Sequence, residues 1–153
     1  MSKALTRDME RYLIEKYVGI PYLHKGRDRR GMDCYGLVLA VSEELGRNLL
    51  DFNIDYEEKW YLRDHNLVIE NYHHQWNRVT DHAPGDLVFF TTRYFSQDTT
   101  PRITVNHVGV AFSGRRFIHA CRAGVVISSL NDIRWQQRVE GFYRFKETAD
   151  DNN

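Results

Sequence analysis

Helix-period and strand-period patterns are segregated along this chain, and that segregation limits the folds open to it. In residues 4 to 18, Leu5, Met9, Leu13 and Tyr17 recur at steps of four with Tyr12 beside them, the spacing of one face of an amphipathic helix. Gly19 and Pro21 end it. A second helix is expected from Cys34 to Gly46, with Leu37, Val38, Val41 and Leu45 as its apolar stripe and Asp33 at the N-cap. Beyond residue 80 the pattern changes. Ala83-Pro84-Gly85-Asp86 is a turn, and it leads into Leu87-Val88-Phe89-Phe90, a short apolar run that reads as a buried strand. Residues 106 to 112 and 115 to 121 read as strands around Ser113-Gly114, Val125 to Ser128 as a third, and Gly141 to Phe145 as a last one. Helices followed by an antiparallel sheet make the fold class α+β rather than alternating α/β. Residues 50 to 80 are ambiguous and contain one candidate helix over 56 to 70. One domain over residues 1 to 147 and a polar tail over 148 to 153 account for the length.

Composition narrows the function. With 42% hydrophobic and 13% aromatic residues, the chain has enough apolar surface for one core. Lys+Arg and Asp+Glu are 21 each, so charge makes no case for nucleic acid or an anionic membrane as partner. No apolar run approaches the ~18 residues of a membrane helix. The polar start Met1 to Asp8 lacks the apolar stretch of a secretory signal, so cytoplasmic synthesis is expected. Two isolated cysteines, Cys34 and Cys121, make neither a disulfide framework nor a zinc motif. No cofactor is called for.

Cys34 falls at the expected start of a helix, where unpaired N–H groups and the helix dipole favour a thiolate. Gly36 would let a substrate carbonyl approach backbone donors there. The plainer reading makes Cys34 a small buried hydrophobe. The later hairpin favours chemistry. If strands 106–111 and 115–120 are joined by Phe112-Ser113-Gly114, residue i faces residue 226 − i, and His107 faces His119 on one side of the sheet. A nucleophile, a base and a group that orients the base is what thiol catalysis requires. A zinc site built on His107, His119 and a cysteine is the competing reading. His24, His65, His73, His74 and His82 have no ligand-like spacing and read as surface or capping residues. Cys121 shares the face of His119 by alternation and reads as structural. Trp60, Trp76 and Trp135 read as core or groove lining. Arg27-Asp28-Arg29-Arg30 reads as a solvated loop, near enough to Cys34 to hold a substrate carboxylate.

From about residue 8 to residue 145 the sequence resembles the NlpC/P60 family of cysteine peptidases, which cleave cell-wall peptides. The resemblance is carried by Gly19-Ile-Pro-Tyr22, Gly31-Met-Asp-Cys-Tyr-Gly-Leu-Val38, Pro84-Gly-Asp-Leu-Val-Phe-Phe90, His107-Val-Gly-Val110, Phe117-Ile-His-Ala120, and Trp135 with Arg138 and Gly141. It implies a papain-like fold, with Cys34 as nucleophile, His107 as base and His119 orienting the base ring. It also implies Tyr22 beside the cysteine, holding substrate or the oxyanion, and Asp33 contacting the amino end of the substrate. The substrate would be a peptidoglycan stem peptide, cut at a γ-D-glutamyl bond to a diamino acid.

Two departures stand out. Tyr35 stands where the family usually has serine after the cysteine, a position beside the substrate amine, and neither a secretory signal nor a wall-binding module is expected. With the Tyr-rich acidic stretch Asp55-Tyr-Glu-Glu58, these features look like stand-alone phage tail-assembly members, which implies phage tail proteins as partners and the virion tail tip as place of action. An acyltransferase or amidase acting on another substrate, or a catalytically idle tail protein, are the alternative readings.

Overall fold

The computed structural model describes residues 3–49, 75–95 and 101–146. The candidate helix over 56 to 70, Trp60, Asp55 to Glu58, His65, His73, His74 and the tail lie outside the described residues. The chain opens with helix α1 (Arg7–Tyr17), shorter than the 4-to-18 pattern because Thr6 caps it. The Thr6 hydroxyl accepts from the Met9 N–H at 3.2 Å. A small ribbon follows, β1 (Arg27–Asp28) against β2 (Gly31–Met32), inside the segment expected to be a loop. Helix α2 (Cys34–Glu44) begins at the cysteine, as expected, and Gly46 ends it in the left-handed conformation (φ 74°).

The second half forms one six-stranded antiparallel sheet. Its strands are β3 (Trp76–Val79), β4 (Leu87–Phe95), β5 (Pro101–Phe112), β6 (Arg116–Cys121), β7 (Gly124–Ser129) and β8 (Val139–Phe145), in the spatial order β3-β8-β4-β5-β6-β7. A single-turn helix, α3 (Ile133–Gln136), precedes β8 and has no apolar period to betray it in the sequence. The fold is α+β, as the segregated patterns predict. Strands β4 and β5 run further than their apolar cores, and a bulge between Phe90 and Thr91 leaves Asn106 as the extra residue on β5.

Alternation sorts the sheet into two faces. Leu87, Phe89, Val108, Val110, Phe112, Ile118 and Ala120 join Leu37, Val38 and Val41 of α2 in the main core. Val88, Phe90, Phe117 and Leu130 form a second cluster on the other face, with Trp135, Val139 and Phe142 packed against it.

The register of the β5–β6 hairpin differs from expectation. Val110 pairs with Ile118, Ala111 with Phe117 and Phe112 with Arg116, so residue i faces 228 − i, not 226 − i. The loop is Ser113-Gly114-Arg115, with Arg115 itself left-handed at φ 56°. A contact from outside the hairpin selects this turn. Glu10 of α1, 2% exposed, accepts from the Ser113 N–H (2.7 Å), the Ser113 hydroxyl (2.8 Å) and Arg116 Nη2 (2.8 Å). Removing the carboxylate would leave those donors without their acceptor. Glu10→Ala is therefore expected to destabilise the protein by about 3 kcal/mol in urea unfolding. A loss below about 1 kcal/mol would mean that the turn holds without α1.

Candidate active site

The cysteine is positioned by the residue before it. Asp33 is extended (φ −90°, ψ −178°) and caps α2, its Oδ1 accepting from the Gly36 N–H at 2.8 Å. The same oxygen accepts from Arg27 Nη1 at 2.9 Å, and Oδ2 accepts from the Lys25 N–H at 3.0 Å. The β1–β2 ribbon brings Arg27 back to this point. Gly36 has a different use from the one expected. A Cβ there would collide with the main-chain oxygen of Gly26, so the missing side chain makes room for the protein's own loop and not for a substrate carbonyl. Asp33, 4% exposed, is likewise taken up in holding this loop and the helix start.

Cys34 is 8% exposed. The main-chain N–H groups of Tyr35 and Val108 reach its sulfur. The β5–β6 ladder ends at Val110–Ile118, and Val108 lies just past that end, next to His107. Burial, helped by the neighbouring Asp33 charge, pushes the thiol up to about 12 against the pull of those N–H groups and of Arg27. The thiolate expected from the helix start is therefore not the resting state. Desolvation outweighs those N–H groups and Arg27, which favours the neutral thiol.

The two histidines meet, though not face to face. Carried one step beyond the last observed pair, Val110–Ile118, the register puts His119 across from Gly109, with His107 one diagonal step away on the same face. A shift of two residues preserves parity, so the faces survive the register error. Gly109 makes the diagonal contact possible: a Cβ there would come within 3.1 Å of the His119 Cβ and 2.9 Å of the Ile118 oxygen. Across that gap His107 Nε2 and His119 Nδ1 are 2.7 Å apart. His119 is fully buried, and its Nε2 lies 2.8 Å from the Ser128 hydroxyl.

Trp135 of α3 covers the pair. Its ring stacks on His107 (centroids 5.7 Å apart) and meets His119 edge-on at 4.8 Å. Arg138 packs over the outer side of Trp135 at 4.9 Å and is fixed by Thr91 O (2.8 Å) and by Asn106 Oδ1 (3.1 Å), the bulged residue of β5. Burial first, then the partner His119 and the Arg138 cation, holds His107 well below the ordinary imidazole value. Burial and Arg138 bring His119 down to about 4. Both rings are neutral at pH 7.

The other residues singled out in the sequence lie around this centre. Tyr22 is half-buried against the main core and bridges to Met32, two residues before the cysteine. Tyr35 is in the main core, 5% exposed, so its side chain serves packing first. Cys121 is half-buried, its thiol directed at the Gly124 oxygen at 3.7 Å. Trp76 is a core residue. Among the described residues no group of three His, Cys, Asp or Glu side chains is gathered for a metal ion. Sequence reasoning gave no role to Ser128, Gly109 or Asn106. Alternation along Val125 to Ser128 could have put Ser128 on the histidine face, but only with the β6–β7 register in hand.

A helix that starts at a buried cysteine, laid on an antiparallel sheet that carries a bonded histidine pair, is the layout of a papain-like α+β domain. The NlpC/P60 family model matches residues 19–144, and the chain belongs to that family. It is 30% identical over 125 residues to "Probable endopeptidase NlpC" of Escherichia coli (strain K12), covering 81% of this chain and 68% of that one. It is 29% identical over 133 residues to "Probable peptidoglycan endopeptidase LytE" of Bacillus subtilis (strain 168), covering 84% of this chain but only 31% of that much longer protein. Among solved structures, an NLP/P60 family lipoprotein-like protein from Staphylococcus aureus superposes with a TM-score of 0.63 at 22% identity, over 96% of this chain and 44% of the other.

The neutral histidines, His119 fully buried and His107 half-buried, have a consequence for stability. Unfolded, each takes up a proton near its ordinary value of 6.5, whereas folded His119 does so only near 4. The unfolded state therefore binds more protons between those values, and stability falls as pH drops through the window. His119 alone is expected to contribute a loss of about 3 kcal/mol across it. Urea unfolding at successive pH values measures this, and His119→Asn should flatten the slope. An unchanged slope in that variant would show that His119 titrates normally.

Proposed function

We propose that this chain is a cysteine peptidase that hydrolyses amide bonds in the peptide stem of bacterial peptidoglycan. The observation that carries the proposal is the joint between the two halves of the site. The Cys34 sulfur meets the N–H of Val108, one residue along β5 from a histidine whose Nε2 is already held by His119. That bond leaves Nδ1 as the nitrogen of His107 for the thiol proton. The relatives that match most of this chain carry names of endopeptidases, one of them of peptidoglycan, which supports the substrate class.

The mechanism follows from the resting charges. With thiol and imidazole both neutral at rest, general-base attack is the step we assign: His107 takes the proton as sulfur bonds to the carbonyl carbon. The main-chain N–H of Cys34, at the start of α2, is assigned to the oxyanion together with Tyr22. His107 then protonates the leaving amine, and water hydrolyses the thioester. The γ-D-glutamyl bond to a diamino acid is the scissile bond we assign, and a phage tail is the setting, with tail proteins as partners and the tail tip as place of action. That setting rests on Tyr35 and on Asp55 to Glu58. An amidase or acyltransferase acting on another substrate uses the same residues and is separated by product analysis on purified muropeptides. An idle tail protein would give no product at all.

Cys34→Ala is expected to abolish muropeptide cleavage without unfolding the protein, and His107→Ala to lower kcat by about 10²- to 10⁴-fold. His119→Ala should cost less, since it acts through His107. Wild-type-like turnover by Cys34→Ala would refute the assignment. The pH profile gives an independent check. The base must be neutral, and the His107 value is depressed, so activity should persist as pH falls through 6.5 and drop only below it. An acid limb centred at or above 6.5 would contradict a base held neutral by its surroundings.

A further inference from the structure

His107, His119 and Ser128 form a diagonal row across three strands. Ser128 pairs with Phe117 in the β6–β7 ladder, and His119 with Val126, so each member of the row sits one diagonal step from the next on a common face. The row is joined by bonds of 2.7 Å and 2.8 Å. Each bond carries one proton, and the row as a whole can be polarised in only two ways.

In the first, His107 Nε2–H donates to His119 Nδ1, and His119 Nε2–H donates to the Ser128 oxygen. His107 then has a lone pair on Nδ1. In the second, the serine hydroxyl donates to His119 Nε2, His119 Nδ1–H donates to His107 Nε2, and His107 carries its proton on Nδ1. Only the first leaves His107 able to take a proton at Nδ1. The protonated form of His107 enforces the same polarity, because both its nitrogens then donate. His119 must accept at Nδ1 and, being neutral, must donate at Nε2. His119 is fully buried, so that donor needs an acceptor from the protein. Ser128 Oγ is the acceptor in place. Among the described residues, the further ring and charge partners of His119 are Phe117, Trp135 and the Arg138 cation, and none of these is a lone-pair acceptor.

We propose that Ser128 is a positioning residue that fixes the tautomer of His119 and, through it, keeps His107 Nδ1 deprotonated as the base. The choice of the first polarity rests on the peptidase reading above, whereas the tautomers themselves can be read out without catalysis. Valine and threonine are nearly isosteric and both suit a strand, so Ser128→Thr and Ser128→Val differ at this point only in the hydroxyl. Ser128→Thr is expected to keep kcat within about twofold of wild type. Ser128→Val should lower kcat tenfold or more with KM unchanged, an effect on the order expected for one buried donor left unsatisfied. Imidazole nitrogen NMR of the wild-type protein should show both rings as the Nε2–H tautomer, and Ser128→Val should move His119 toward Nδ1–H. Equal kcat in the two variants, or a wild-type His119 in the Nδ1–H form, would overturn the proposal. If wild-type protein cleaves no muropeptide, the peptidase reading fails, while the NMR result still decides the role of Ser128.

Discussion

The 2.7 Å bond between His107 and His119 is the constraint on which the rest of the site depends. Gly109 makes room for it, since a Cβ there would crowd the Ile118 oxygen, the His119 Cβ and the Phe117 ring. It survives in a dry setting because Trp135 lies against both rings and Ser128 satisfies the far nitrogen of His119. Arg138 ties this wall to the sheet through the bulged Asn106, so an irregularity in β5 becomes the anchor of α3. Burial and the nearby guanidinium keep both imidazoles neutral, which a general base requires and which the folded state bears as a loss of stability in acid.

The cysteine side is held by a single carboxylate. Asp33 caps α2, fixes Arg27 and the Lys25 amide, and thereby closes the β1–β2 ribbon onto the helix start. Its charge also raises the thiol, so the same residue that orients Cys34 keeps it protonated at rest. The two halves are brought together just past the end of the β5–β6 ladder, where the Val108 N–H reaches the sulfur.

What the sequence revealed was whatever local chemistry decides. Asp33 followed by an apolar helix stripe marked the start of α2, and period-two alternation placed both histidines on one face. The order of patterns gave α+β, and the spaced motifs gave the family. What it concealed was decided at long range. The hairpin register came out two residues off because Gly114 was assigned to the last loop position. The turn actually used puts the non-glycine Arg115 in the left-handed region, under the hold of Glu10 more than a hundred residues away in sequence. The raised Cys34 thiol has a similar origin: a helix start is visible in a sequence, while the depth of burial is not. Ser128 lay in a recognised strand, yet its partner depends on pairing that no local signal sets.

The central claim is that Cys34 attacks while His107, oriented from behind, takes its proton. Rapid-quench intact-mass analysis of the wild-type protein turning over a purified stem peptide tests it most directly. The account predicts a transient acyl adduct that maps to Cys34 and disappears as product forms. Cleavage with no adduct on Cys34, or an adduct on Cys121 in its place, would contradict it.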